Sequence, residues 1–469
     1  MERRSFLNRM SLAGAAAVAA KPMQRAFSQP THPNVLFIFI EDLNDWLGVM
    51  GHPDAITPNL DAFAQTGVLF TNAHCSGPAC NPSRTGMFTS LKCSTTGVYY
   101  NGEDWRSRLP NNYKTMPDEF IDAGYYNVGS GKFYHPPFID SQPWHEVFRG
   151  LPSPHLLNGG DPYPPYHPWI GQDQQLNDNT DFLWGPNDSP MNSFQDEARS
   201  DFINDRLLGG MPEPFFSFLG TRATHYPAVP PRKFIQQYNL ETLSLPPYTP
   251  VDLSDIPQAG LDLIQSGLFD SILEHKNWRK AVAAYLGAVS FVDNTVGKVL
   301  DALDSSGYAD NTMVVISADH GFHLGEKRHW RKWTLWEEST HVPMMIRVPG
   351  MTTPGGVCHE PVSLLDIMPT FVDICNLAEQ PFMEGISLRP QLEDPSTPRT
   401  VPALTTHGAG NHAIRDKRWR YIRYADGSEE LYDHDADENE WNNVADETQY
   451  ESIKADLAQW MPDDIQQGG

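Results

Sequence analysis

The residues most in need of a chemical explanation are Cys80-Asn81-Pro82-Ser83-Arg84. The chain carries five cysteines, at positions 75, 80, 93, 358 and 375. In an exported chain an odd count leaves at least one thiol outside any intrachain disulfide. None stands in a C-x-x-C or a cysteine/histidine zinc spacing. A buried or disulfide-bonded cysteine in a turn would give the same five letters, so the surrounding residues decide. Glu41-Asp42 follows the apolar run 34–40, and Asp319-His320 follows another, 312–316. Carboxylates and an imidazole at strand ends form an oxygen-dominated set that suits a hard divalent cation. An acidic pair there can also cap a following helix. The run 126–130 leads into Lys132 and His135, and 215–219 leads into Arg222 and His225.

These residues need a frame. NVLFIFI at 34–40 has no polar alternation, as expected of a strand buried on both faces of a parallel sheet. In open α/β sheets, ligands collect beyond the carboxyl ends of such strands. Residues 278–303 have helical spacing, with Val282, Tyr285, Leu286, Val289, Val292 and Val296 on the face that packs on the sheet. The stretch 138–195, rich in Pro, Asn, Asp and Trp, reads as long loops. From 395 the texture changes to short alternating strands around 419–424, broken by the hairpin signal Asp426-Gly427 and closed by an amphipathic helix at 450–460. The expected architecture is α/β: a mixed, mostly parallel sheet between helices, with a smaller C-terminal antiparallel-sheet subdomain. The divisions are a signal segment at 1–30, a catalytic domain at 31–394 and an α+β subdomain at 395–469.

With 34 basic against 59 acidic residues, the net charge is −25, which argues against a nucleic-acid partner. No apolar run is long enough to span a bilayer in the mature chain. Arg3-Arg4 followed by Ser5-Phe6-Leu7, a mild apolar stretch at 10–20 and the small residues Ala17-Val18-Ala19 match a twin-arginine export signal. The expected location is therefore exported, periplasmic or extracellular, with the twin-arginine machinery as a partner.

From about residue 33 to the C-terminus the chain resembles the sulfatase family of the alkaline-phosphatase superfamily, closest to its iduronate-2-sulfatase-like members. The resemblance rests on C-x-P-S-R at 80–84, the acidic pair Glu41-Asp42, Gly131-Lys132-Phe133-Tyr134-His135, Thr224-His225-Tyr226-Pro227, Asp319-His320 and Lys332, all in family order. It implies an alkaline-phosphatase-like fold and a sulfate ester on a sulfated sugar as substrate. It further implies a formylglycine nucleophile made from Cys80 by a maturation enzyme. One Ca²⁺ per chain would be held by Glu41, Asp42, Cys80, Asp319 and His320, with Arg84 holding the diol. Lys132, Lys332 and His225 would contact the sulfate, His225 alternatively protonating the leaving alcohol. His135 would assist turnover, and Arg222 would reach a substrate carboxylate. A hydrated aldehyde suits this task because one oxygen attacks sulfur and the second hydroxyl then expels sulfate, giving two easier steps. Glu41 stands where the family has Asp, Thr224 where it has Pro, and Phe88-Thr89-Ser90 where it continues Leu-Thr-Gly. Two competitors share these residues: a phosphonate monoester or phosphodiester hydrolase of the same superfamily, and a non-catalytic sulfoglycan-binding protein with Cys80 unconverted. Trp105, Trp169 and Trp184 would either pack or stack on sugar rings.

Overall fold

The computed structural model describes residues 32–140, 142–151, 184–249 and 252–463. The signal segment, Trp169 and most of the 138–195 stretch lie outside the described residues.

One nine-stranded sheet organises the molecule. Its strands are β1 (Asn34–Ile40), β2 (Val68–His74), β3 (Tyr126–Gly131), β4 (Glu146–Phe148), β5 (Phe215–Thr221), β6 (Thr312–Ala318), β9 (His341–Arg347), β10 (Gly356–Cys358) and β11 (Val362–Ser363). The two-stranded ribbon β7 (His323–Leu324) and β8 (Trp330–Arg331) stands apart. The order in the large sheet is β10-β2-β9-β6-β1-β5-β3-β4, with β11 also on β2. Only β9 runs against the others, pairing antiparallel with β2 and β6. The mixed, mostly parallel expectation therefore holds. β1 occupies the middle, and all seven of its residues are buried, as an unbroken apolar run requires. The short edge strand β4 lies in the stretch read as loop. Three half-buried residues leave too little alternation to be seen in the sequence.

The helix Trp278–Ser306 covers the sheet and exceeds the single expected face: every residue from 281 to 292 is buried. It is flanked by the helices Gln195–Gly209, Arg232–Ile235 and Pro58–Ala64, so it lies inside the layer. Asp293 on this helix accepts the backbone N–H groups of Asn59 and Leu60, at 3.1 and 2.8 Å. It thereby satisfies donors at the start of Pro58–Ala64.

A separate antiparallel sheet follows, β12 (Ala403–Thr406), β13 (His412–Arg415), β14 (Trp419–Arg423) and β15 (Glu429–Asp433), in sequential order. Its two faces do different work, as strand alternation dictates. Ile414, Trp419, Tyr421 and Leu431 cluster with Leu457 of the helix Glu451–Ala458. Ala413, Ile422 and Tyr432 pack on Leu335 and Trp336 of the larger domain.

Candidate active site

Four neighbouring parallel strands deliver one charged cluster. β1 ends at Ile40, and the next residues, Glu41 and Asp42, are 0% and 1% exposed. Ile40 is in register with Thr221 of β5 and Ala318 of β6. The 222–225 turn and Asp319-His320 therefore emerge on either side of the acidic pair. β3 contributes Lys132 from beyond β5. A Cβ on Gly220 would meet the Lys132 carbonyl oxygen at 2.1 Å, and Gly131 has φ +85°, so glycine permits the approach that turns Lys132 inward.

Cys80 opens the helix Cys80–Thr89, all ten of whose residues are buried. The motif residues fix this helix to the strand ends. Ser83 donates its hydroxyl proton to the Asp319 carbonyl. Arg84 places Nε and Nη2 each 3.0 Å from Asp319 Oδ2, and its Nη1 donates to the Lys132 and Phe133 carbonyls at 2.8 and 3.0 Å. Asn81 donates to the Tyr100 and Glu103 carbonyls at 3.0 and 2.8 Å. The helix ends at Ser90, whose φ of +58° is the left-handed C-cap that glycine usually fills. Serine is retained there by its hydroxyl, which donates to Leu365 O at 2.9 Å and accepts from Gly385 N–H at 3.0 Å.

The Cys80 thiol sits at the centre. Lys332 Nζ lies 3.1 Å from Sγ, Glu41 Oε1 3.4 Å, His320 Nε2 3.5 Å and Asp42 Oδ1 4.0 Å. Lys332 also donates to Asp42 Oδ1 at 2.7 Å, and Lys132 pairs with Glu41 Oε1. Burial pushes the thiol pKa up, but Lys132 and Lys332 outweigh it and hold the group well below its ordinary value. Burial likewise opposes ionisation of Glu41, yet the permanent cations Lys132, Arg222 and Arg84 keep it well below the carboxylate range. Asp319 is lowered against its burial by His320 and Arg84. Lys332, disfavoured by burial, is raised by Asp42 and the Cys80 thiolate.

These donors fit a hard divalent cation. Ligand atoms of Asp42, Cys80, Asp319 and His320 lie within 4.8 Å of one another, as do those of Glu41, Asp42, Cys80 and His225. Glu41 Oε2 is buried without a hydrogen-bond partner. The His320 Nδ1–H donates to Gly321 O at 3.0 Å, which turns Nε2 toward the carboxylates. A third cluster, Glu337, His434 and Glu440, is neutralised by a side chain of this protein. The buried Arg420 bridges both of its carboxylates and joins β14 to the segment after Lys332.

The remaining predicted residues fall at different distances from the thiol. Arg222 Nε lies 3.6 Å from Glu41 Oε2 with its side chain 39% exposed, at the mouth. His225 Nε2 lies 3.8 Å from Glu41 Oε1, while Nδ1 contacts the Tyr226 carbonyl. Burial lowers its pKa to about 3 despite Asp42 and Glu41, so the resting ring is neutral with Nε2 unprotonated. His135 is half-buried, and among the described residues no hydrogen bond or ion pair joins it to the cluster. Trp105 and Trp184 are each 1% exposed, so both pack.

Several supporting contacts escaped the sequence reading. Tyr285, counted only as a core position, donates to the Asp42 carbonyl at 2.8 Å. Thr224 donates its hydroxyl to the Glu41 carbonyl, which gives a use to the residue where the family has proline. His329 accepts the Gln265 N–H at 2.9 Å and donates to the Lys332 carbonyl at 2.8 Å. An aromatic on a helix stripe or a histidine in a turn gives no sequence signal of such contacts.

Comparison with known proteins shows the family and the fold. A family model described as Sulfatase matches residues 33–377, and one described as N-sulphoglucosamine sulphohydrolase, C-terminal, matches 325–467. A sulfatase from Formosa agariphila is 36% identical over 447 residues, covering 92% of this chain and 86% of its own. The iduronate 2-sulfatase of Mus musculus is 31% identical over 371 residues, covering 73% of this chain and 64% of its own. The phosphonate monoester hydrolase of Silicibacter pomeroyi shares the fold, with TM-score 0.71, 24% identity and coverage of 91% of this chain and 94% of its own.

Proposed function

Because this chain belongs to the sulfatase family of sulfuric ester hydrolases, we propose that its nucleophile is formylglycine made from Cys80 and that one Ca²⁺ sits among Glu41, Asp42, Asp319 and His320. The observation that carries the reading is the position of Cys80 Sγ, at a helix N-terminus and 3.1 Å from the Lys332 ammonium, beside three buried carboxylates. Anionic character at that position is stabilised by the lysines and by the helix end.

Formylglycine supplies, as its hydrate, an attacking oxygen and a second hydroxyl through which sulfate is expelled. The cation supplies positive charge that favours the ionised diol and offsets charge on the sulfate oxygens. Calcium suits the set because its oxygen-rich shell tolerates irregular geometry, including the extra methylene of Glu41. The chain's own residues do the rest. Arg84 fixes Asp319 from behind and orients the Cys80 helix. Lys132 and Lys332, which balance carboxylates in this structure, would hold sulfate oxygens, a role their charge beside Cys80 supports. His225 receives a proton once the anionic substrate offsets its neighbouring cations, and donates it to the departing alkoxide. His135 would take the proton of the second hydroxyl, and Arg222 at the mouth would pair with a substrate carboxylate.

The proposed substrate is a sulfated saccharide, supported by the name of the mouse relative and by the exposed cation Arg222. Export through the twin-arginine route belongs to the same reading, supported by Arg3-Arg4. No described helix is long and apolar enough to cross a membrane. The deciding experiment is mass spectrometry of the peptide containing Cys80 from a chain produced with a maturation enzyme, paired with sulfate release. The expected mass is that of an aldehyde in place of the thiol. Sulfate release from a chain with an intact thiol would overturn the assignment of the nucleophile.

A further inference from the structure

The segment around Lys332 concentrates backbone strain. Lys327, Arg328, Arg331 and Trp333 all have positive φ, at 51°, 51°, 92° and 80°, and none is glycine. Left-handed backbone is strained for a residue with a Cβ and persists only where the surroundings impose it. The surroundings here do so. Arg331 pairs with His323 in the two-stranded ribbon. Trp330 donates its indole N–H to Tyr226 OH at 3.1 Å. His329 grips the Lys332 carbonyl, and Trp333 N–H donates to Pro78 O at 3.2 Å, two residues before Cys80.

The result is a division of directions. Lys332 turns inward and is 3% exposed, whereas Arg331 and Trp333 on either side remain half-exposed. Trp333 contacts both cations: its ring centroid is 5.6 Å from Arg331 Cζ and 5.8 Å from Lys332 Nζ. Among the described residues, Arg331 makes no side-chain hydrogen bond or ion pair, in a chain whose acidic residues outnumber its basic ones. A partly exposed indole thus touches both the lysine beside Cys80 and a guanidinium that no described carboxylate neutralises.

We propose that Trp333 and Arg331 form a saccharide subsite adjoining the sulfate pocket, in which the indole face packs on the apolar face of a pyranose ring and the guanidinium pairs with a second anion on that saccharide. Stacking and charge pairing are the interactions these groups offer when half-exposed. The second anion is a carboxylate or another sulfate ester, since a guanidinium binds either bidentately. This subsite rests on the sulfatase reading of the pocket beside it.

The test compares kcat/KM on four substrates: an aryl sulfate, a neutral monosulfated sugar, a sulfated uronic acid and a disulfated amino sugar. Relative to the aryl sulfate, Arg331→Gln should lower kcat/KM about tenfold on whichever doubly anionic sugars the subsite accepts, with partial recovery in Arg331→Lys. Trp333→Ala should reduce both neutral and charged sugars relative to the aryl sulfate, and Trp333→Phe should do so less. An equal loss on all four substrates, or no loss on any, overturns the subsite. So does a wild-type chain that turns over aryl sulfate but neither cleaves nor binds the doubly anionic sugars. Calorimetric titration of the Cys80→Ser chain with the same sugars separates the two ideas. Arg331-dependent binding without turnover by the wild-type chain would sink the hydrolase reading and leave the subsite standing.

Discussion

At Cys80 and Lys332 a charge reversal of one atom would reach the whole cluster, because Lys332 Nζ touches both Sγ and Asp42 Oδ1. Replacing Cys80 by Ala would remove the proposed nucleophile and should lower kcat by about 10⁴-fold or more, with the affinity for sulfated ligand largely retained. Lys332→Ala should lower kcat by about 10²–10³-fold, the range for losing one preorganised charge from a transition state. Sulfate release measures both, and a Cys80→Ala chain with near wild-type turnover would remove the mechanism proposed for this protein. These residues were legible in the sequence for a physical reason. Glu41, Asp42, Asp319 and His320 terminate apolar runs, and polar groups at the end of a buried strand must be used or solvated. Arg331 and Trp333 were illegible because nothing in the letters R-K-W announces left-handed backbone. Tyr285 was hidden by its own periodicity, which marks a core position whether or not its hydroxyl finds a partner.

Between elements, the clearest prediction concerns the tie of Asp293 to the start of Pro58–Ala64. Burial pushes this carboxyl up to about 6, against the N–H donors of Asn59 and Leu60 that favour its ionised form. Its ordinary value is 3.8, so the fold prefers the protonated state between those two values. The group costs nothing below about pH 4, and its penalty grows as pH rises through the window to a plateau above about 6. Between pH 5 and pH 7 the wild-type chain should lose about 1 kcal/mol through this group, and Asp293→Asn should not. Urea denaturation at the two pH values checks this, and an identical change in both chains would rule it out. Elements divide in legibility as residues do. The strands 34–40 and 312–318, the helix 278–306 and the Asp426-Gly427 hairpin announce themselves by period or turn chemistry. The antiparallel direction of β9 and the strand β4 do not, because direction is set by connections, and three residues carry no period.

For the whole molecule, the charge gathered at the strand ends of the large sheet bears on stability. Three buried carboxylates at the carboxyl end of the central strands are balanced in this structure by lysines and Arg84. A divalent ion bound there stabilises the native state alone, by about 2.7 kcal/mol when present at a hundred times its dissociation constant. Chelation should therefore lower Tm and restored Ca²⁺ should recover it, while a melting temperature indifferent to both would exclude a resident cation. The helix Cys80–Thr89 carries a further consequence: none of its ten residues reaches the surface. If Cys80 is converted as proposed, the enzyme that does so can act only on a chain that has not yet collapsed. Conversion and folding then run a race with a single finish, and whichever thiols lose are sealed in for the life of the molecule. A purified sample would be two frozen populations whose proportion reports the tempo of synthesis, and later exposure to the maturation enzyme would leave that proportion where it was.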